Sequence, residues 1–270
     1  MQLDVDATDV ARGIFSVRQT IPVAASGPLT LRYPQWLPDK HAPRGVIAEI
    51  AGLTFTANGR ALRWRRDPLD VFAFVADVPA GVRSIEARFQ FLSPTRGSEG
   101  RVVMTPAMLN LQFEQVSLYP AGHATRDIRV QPTVLLPAGW SAATALDGAA
   151  VEGNRIRYGV TTYETLVDSP IFAGAHLRRW PLGHGVTLNV VADEARYLEA
   201  TPEQIGAHIA LVDEAVLLFG TRHFDHYEFL LALTEELGGI GLEHHRSSEN
   251  ARETDYFVDW AENGSERGLL

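Results

Sequence analysis

Through the first 175 residues hydrophobic and polar positions alternate with a period of two, and a helical period replaces it only after residue 200. In the stretch 82–91, Ile85, Ala87, Phe89 and Phe91 share one side, while Ser84, Glu86, Arg88 and Gln90 share the other. Such alternation predicts a strand with one buried face, because successive side chains of an extended chain point in opposite directions. Residues 53–55 and 62–64 flank Asn58-Gly59, a pair that tolerates positive φ at both centres of a tight hairpin turn. Further strands are predicted at 3–7, 15–23, 71–75, 128–136, 155–160 and 175–180, with prolines and glycines between them. The pattern predicts an antiparallel β-sandwich or a curved sheet over residues 1–175.

The character changes after another apolar run at 186–192. Thr201 suits an N-cap, Pro202 suits the first helical position, and Gln204 completes a capping box. Ile205, Ile209, Val212, Val216 and Phe219 follow at steps of four and three, which predicts one buried stripe, and Gly220 is placed to end the helix. Residues 227–233 (YEFLLAL) read as a central strand, and the glycine-rich run Leu237-Gly238-Gly239-Ile240-Gly241-Leu242 follows it. The second region, 176–270, is therefore α+β. The sequence stops at Arg267-Gly268-Leu269-Leu270, inside an expected new helix capped by Ser265, which reads as a piece of something longer.

Composition narrows the class. With 270 residues, 46% hydrophobic and 21% charged, the chain is ordinary globular material for one long domain or two, which excludes wholesale disorder, collagen and coiled coil. No apolar run is long enough to span a membrane. The acidic start MQLDVDATDV does not read as a signal peptide, so the expected location is cytoplasmic, or periplasmic with the signal removed. The absence of cysteine excludes disulfides, thiolate nucleophiles and Cys-based zinc sites. A net charge of −9 argues against nucleic-acid binding. Residues 235–270 hold nine acids against three arginines. That segment is either a solvated acidic surface or one that attracts cationic groups.

Candidate chemistry is sparse. None of the nine histidines begins an H-E-x-x-H helix, whose spacing would put two imidazoles on one face. His223 and His226 form an H-x-x-H pair in a connector and read as a polar turn before they read as metal ligands. His244 and His245 are adjacent and would point to opposite faces of a strand. His41, His123, His176, His184 and His208 are isolated and default to surface or satisfied core positions. Ser247-Ser248 lie in no G-x-S-x-G elbow, and no nucleotide-binding glycine motif occurs. The run from Gly238 to Ser248 carries two readings. It is a loop between elements, or an edge strand lining a cleft, with backbone groups for an extended peptide and a carboxylate at its end.

The segment G-G-x-G-L-E-H at Gly238 to His244, preceded by Y-x-F-L-L-x-L and followed by R-x-S-S, resembles the glycyl aminopeptidase family of thermolysin-like zinc metallopeptidases, which usually carry a PDZ domain. Leu166-Val167-Asp168-Ser169-Pro170 resembles that family's junction between β domain and peptidase domain. The resemblance implies a β-rich N-terminal domain over 1–175 and the front of an incomplete α+β thermolysin-like domain over 176–270. It implies that Glu243 holds the α-amino group of a peptide substrate with a free N-terminus. Gly239, Ile240, Gly241, Leu242 and His244 would complete the substrate-binding segment. The parent enzyme would remove small residues of the Gly or Ala type. Its zinc helix is missing here, so no catalytic residue, no metal ligand and no cofactor is expected in this chain, and zinc is expected only in the full-length parent. A non-catalytic β-rich peptide-binding or interaction module is the alternative. Apolar faces left by the missing helix imply self-association through residues 200–270.

Overall fold

In the computed structural model of the chain, residues 1–37 and 42–261 are described. The helix start expected at Ser265 and the isolated His41 lie outside them. The chain forms two compact units: residues 1–93, 112–138 and 146–168 make the first, and residues 94–111, 139–145 and 169–270 the second.

The first unit holds a nine-stranded sheet and a four-stranded one. Gln2–Asp9 lies near the middle of the large sheet, antiparallel to Ile14–Pro22 and parallel to Arg129–Leu135. Ser84–Leu92 buries Ile85, Ala87, Phe89 and Phe91 and turns its polar positions outward, as the alternation predicts. The Asn58-Gly59 turn closes the hairpin between Ile50–Ala57 and Arg60–Ala61, with φ of 49° and 75° at its centre. The second arm of this hairpin is shorter than expected. Trp64–Arg66 crosses to the small sheet and pairs with Ala73–Val78. The Trp64 ring stands edge-on to Phe55 of the large sheet and to Phe74 of the small one, each at 5.8 Å. Edge-on aromatic pairs of this kind are favourable beyond the area they cover, so the half-exposed Trp64 ring gains contacts on both sheets by crossing.

The second unit is α+β. Its main sheet runs in the order Leu177–Gly183, Val186–Ala192, Tyr227–Leu233, Ser247–Arg252, Gly241–Glu243. The three inner strands are parallel and the two outer ones antiparallel to their neighbours. Tyr227–Leu233 is central, as the apolar run from Phe229 to Leu233 predicts. Leu231 and Leu233 pack on one face with Val190 and Val212. Leu230 and Ala232 pack on the other with Met108 and Phe172. A parallel strand covered on both faces has no polar side to show.

The helix Pro202–Phe219 covers the first of these faces. Thr201 Oγ1 accepts from the Gln204 amide, the Gln204 side chain accepts from the Thr201 amide, and Gly220 closes the helix at φ 66°. The buried line differs from the apolar stripe. It runs through Gln204, His208 and Val212, while Ile209 is exposed and Phe219 is 73% exposed. Polar partners set this rotation. Gln204 donates to the buried Phe257 carbonyl at 2.6 Å. His208 bonds the Gln204 carbonyl at 2.7 Å and the Tyr256 hydroxyl at 3.0 Å. A carbonyl can only accept, so His208 carries its proton on Nδ1. With that face turned inward, Leu217 and Leu218 remain 75% and 78% exposed. Among the described residues no helix is long and apolar enough to cross a membrane.

Removing the cap oxygen by Thr201→Ala is expected to cost about 1 kcal/mol. Gln204→Ala removes the reciprocal cap and also strands the Phe257 carbonyl, so it should cost more, about 2–3 kcal/mol. Urea denaturation followed by tryptophan fluorescence would order the two, and equal costs would contradict the role given to Phe257.

Candidate functional site

Gly241–Glu243 is the edge of the five-stranded sheet and pairs only with Ser247–Arg252 among the described residues. The Ala251 amide donates to Ile240 O at 3.0 Å, and the His244 amide donates to Ser247 O at 2.8 Å. Backbone groups of an antiparallel strand alternate between the two sides. Ile240, Leu242 and His244 therefore face the partner strand, and Gly239, Gly241 and Glu243 turn their N–H and C=O groups to the open side. Neither Gly239 nor Gly241 has any atom within 4 Å of the position a Cβ would take. Both positions are therefore open on the sheet face where a side chain would project. The outer edge of the strand has no partner strand among the described residues, so an extended backbone can pair along it.

The third glycine of the run does the opposite work. A Cβ on Gly238 would lie 2.6 Å from Arg101 Cγ and 3.1 Å from the Val102 amide nitrogen. The Gly238 amide donates to Val102 O at 2.8 Å, and Arg101 Nε donates to Gly238 O at 3.1 Å. Gly238 thus ties the run to the segment behind it.

Side chains follow the same two-residue period. Glu243, Ser248 and Phe229 are register partners on the face that carries the long helix. Glu243 is exposed and lines a cleft of about 610 Å³. Leu211, Val216 and Phe219 of the helix and Tyr227 and Phe229 of the sheet form its apolar wall. His244 lines it too, but its ring is held elsewhere. Its Nε2 lies 3.0 Å from Glu249 Oε1, with side-chain exposures of 6% and 0%. His245 is exposed, so the two neighbours do separate.

The six residues expected to bind substrate thus form one continuous edge. Gly239, Gly241 and Glu243 face outward, Ile240 and Leu242 face inward, and His244 closes the end. Three side chains that hold this edge were not singled out from sequence: Arg101, Asn110 and Glu249. Glu249 had no local signal, because Ser-Ser-Glu-Asn reads as a solvated polar stretch and only the structure shows it buried. Arg101 had none, because it lies 137 residues from Gly238.

The remaining histidines do not converge. His223 stands edge-on to Phe224 and tilted against His245, His226 contacts Glu228 at 3.3 Å, and His184 contacts Asp213 at 2.9 Å. Among the described residues no three His, Asp or Glu side chains surround a point that a metal could occupy. These residues do not fit zinc. Burial pushes the Glu228 carboxyl above its ordinary value, against the Asn189 amide at 2.7 Å and His226.

The family profile of the peptidase M61 N-terminal domain matches residues 2–175. Among solved structures, an aminopeptidase N family protein from Idiomarina loihiensis matches with a TM-score of 0.78 at 19% identity, covering 95% of this chain and 43% of that one. Yeast LTA4 hydrolase in complex with bestatin matches with a TM-score of 0.56 at 11% identity, covering 100% of this chain and 42% of that one. The chain spans less than half the length of either protein. A comparison with curated proteins finds no match.

Two outcomes follow from this geometry. Gly238→Ala drives a Cβ into Arg101 and the Val102 backbone and should destabilise by about 1–3 kcal/mol. Gly239→Ala meets open space and should stay within about 0.5 kcal/mol of the parent chain. Chemical denaturation of the pair tests the contrast, and equal effects would contradict the packing at Gly238. For Glu228, a raised carboxyl binds its proton more tightly folded than unfolded. Its contribution is present below the ordinary carboxylate range and is lost as pH rises through the folded value. Glu228→Gln should therefore gain stability relative to the parent chain as pH rises above the ordinary carboxylate range, the gain growing until the folded carboxyl has ionised. A gain of the opposite sign would contradict the raised value.

Proposed function

Because the chain belongs to the peptidase M61 family through its N-terminal domain, we propose that it is the front portion of a zinc metallo-aminopeptidase that removes small N-terminal residues. In this reading residues 1–175 are the β-rich domain of that peptidase, and residues 176–270 begin its thermolysin-like catalytic domain. The zinc and its ligands belong to the remainder of the parent polypeptide. This chain's contribution is to bind and orient the peptide. The outward groups of Gly239, Gly241 and Glu243 accept and donate to an extended substrate backbone. The Glu243 carboxylate, at the end of the row, pairs with the substrate's α-ammonium. One observation carries the reading: a strand edge with no partner strand among the described residues ends in a carboxylate that lines an apolar cleft. A charge-assisted contact at that end fixes the register of the peptide, because only its terminus carries the ammonium.

The isolated chain should show no aminopeptidase activity on Gly- or Ala-arylamides. The exposed Leu217, Leu218 and Phe219 support self-association of the isolated chain through residues 200–270. A concentration-dependent sedimentation coefficient that Phe219→Ser abolishes would be the expected sign of it.

In the parent enzyme, Glu243→Gln keeps the shape and removes the charge. Turnover of free-amine peptides should fall roughly 10- to 150-fold, the worth of a hydrogen bond to a charged group. N-acetylated peptides, which offer no ammonium, should lose far less. Equal losses for the two would remove Glu243 from amine recognition. If the parent binds such peptides without cleaving them, it is a non-catalytic peptide-binding module.

A further inference from the structure

We propose that Arg101 and Glu249 are positioning residues for the edge strand Gly241–Glu243, each holding one end of it in the register that amine recognition needs. The proposal rests on the reading of Glu243 given above. The strand has three residues and, among the described residues, one neighbour, and glycines at 238, 239 and 241 raise the entropy lost on ordering it. A segment of this kind frays unless its ends are tied.

At the start, the Arg101 guanidinium spans two partners. Nε donates to Gly238 O at 3.1 Å, and Nη1 donates to Oδ1 of the fully buried Asn110 at 2.6 Å. The Gly238 amide returns a bond to Val102 O at 2.8 Å. The fork of Arg suits this double contact, because its donors lie in one rigid plane. At the end, the fully buried Glu249 accepts from His244 Nε2 at 3.0 Å. Glu249 is the register partner of Leu242, so it lies on the face opposite Glu243. Drawing the His244 ring toward Glu249 leaves residue 243 with its side chain on the cleft face.

The cost of the second tie is the strongest argument for its role. Burying a carboxylate is expensive, and an apolar residue of similar volume in its place is commonly neutral or stabilising. Packing alone would favour leucine at 249. A buried Glu that contacts the residue next to Glu243 is accounted for by orientation.

The test uses the 270-residue chain with amide exchange by NMR and titration with triglycine and N-acetyl-triglycine. Glu249→Leu should speed exchange at the His244 amide by roughly tenfold or more, the loss of about one buried hydrogen bond, and leave Leu231 unchanged. Glu249→Gln retains an acceptor and should stay near the parent chain. Arg101→Met should speed exchange at Gly238, and Arg101→Lys should restore part of the loss. In the Leu and Met variants the preference for triglycine over the acetylated peptide should fall several-fold, while affinity for the acetylated peptide holds. Unchanged exchange across 238–244, or equal acceleration at Leu231, would overturn the positioning role. So would an intact preference for triglycine in both variants. If exchange responds as expected but the parent chain binds both peptides alike, the ties stand and the recognition role of Glu243 falls.

Discussion

The cleft depends on one constraint, the two-residue period of an extended chain. That period sends Leu231 and Leu233 to one core and Leu230 and Ala232 to the other, which makes Tyr227–Leu233 the axis of the second unit. It carries through the register to Ser248 and then to Glu243, so the carboxylate emerges on the helix side. It also divides the backbone of the edge strand, with even residues bonded inward and odd residues open. A one-residue slip would bury Glu243 and turn the wrong groups outward.

Register must therefore be held at an edge where little apolar surface is available to hold it. Polar contacts take over there. Gly238 is trapped between Arg101 and the Val102 backbone, and His244 is drawn to Glu249. The same substitution of polar contacts for apolar ones occurs under the long helix, where Gln204 and His208 face the core through Phe257 and Tyr256. Satisfying buried donors and acceptors outweighs burying a few more methyl groups, because an unmade buried hydrogen bond costs more than an exposed leucine. The apolar stripe at the helix's far end consequently lines an open cleft.

Local signals along the sequence determined a good deal of this protein. Alternation located Ser84–Leu92 and its buried residues, Asn58-Gly59 located a hairpin, and Thr201, Gln204 and Gly220 located both ends of the helix. Each of these depends on neighbours within a few residues, where spacing alone decides which groups meet. The run Gly238 to His244 was legible only as a choice between a loop and an edge strand ending in a carboxylate, and the register with Ser247–Arg252 places Gly241–Glu243 as the strand. What only the tertiary structure decided were the long-range pairings. These include which glycine is trapped and which are open, the crossing of Trp64 to the second sheet, and the rotation of the helix toward Tyr256 and Phe257. The contacts of Arg101 and Glu249 belong here as well. Periodicity specifies that a face is buried but not what lies against it, and a contact such as Arg101 to Gly238, 137 residues apart, leaves no trace in local spacing.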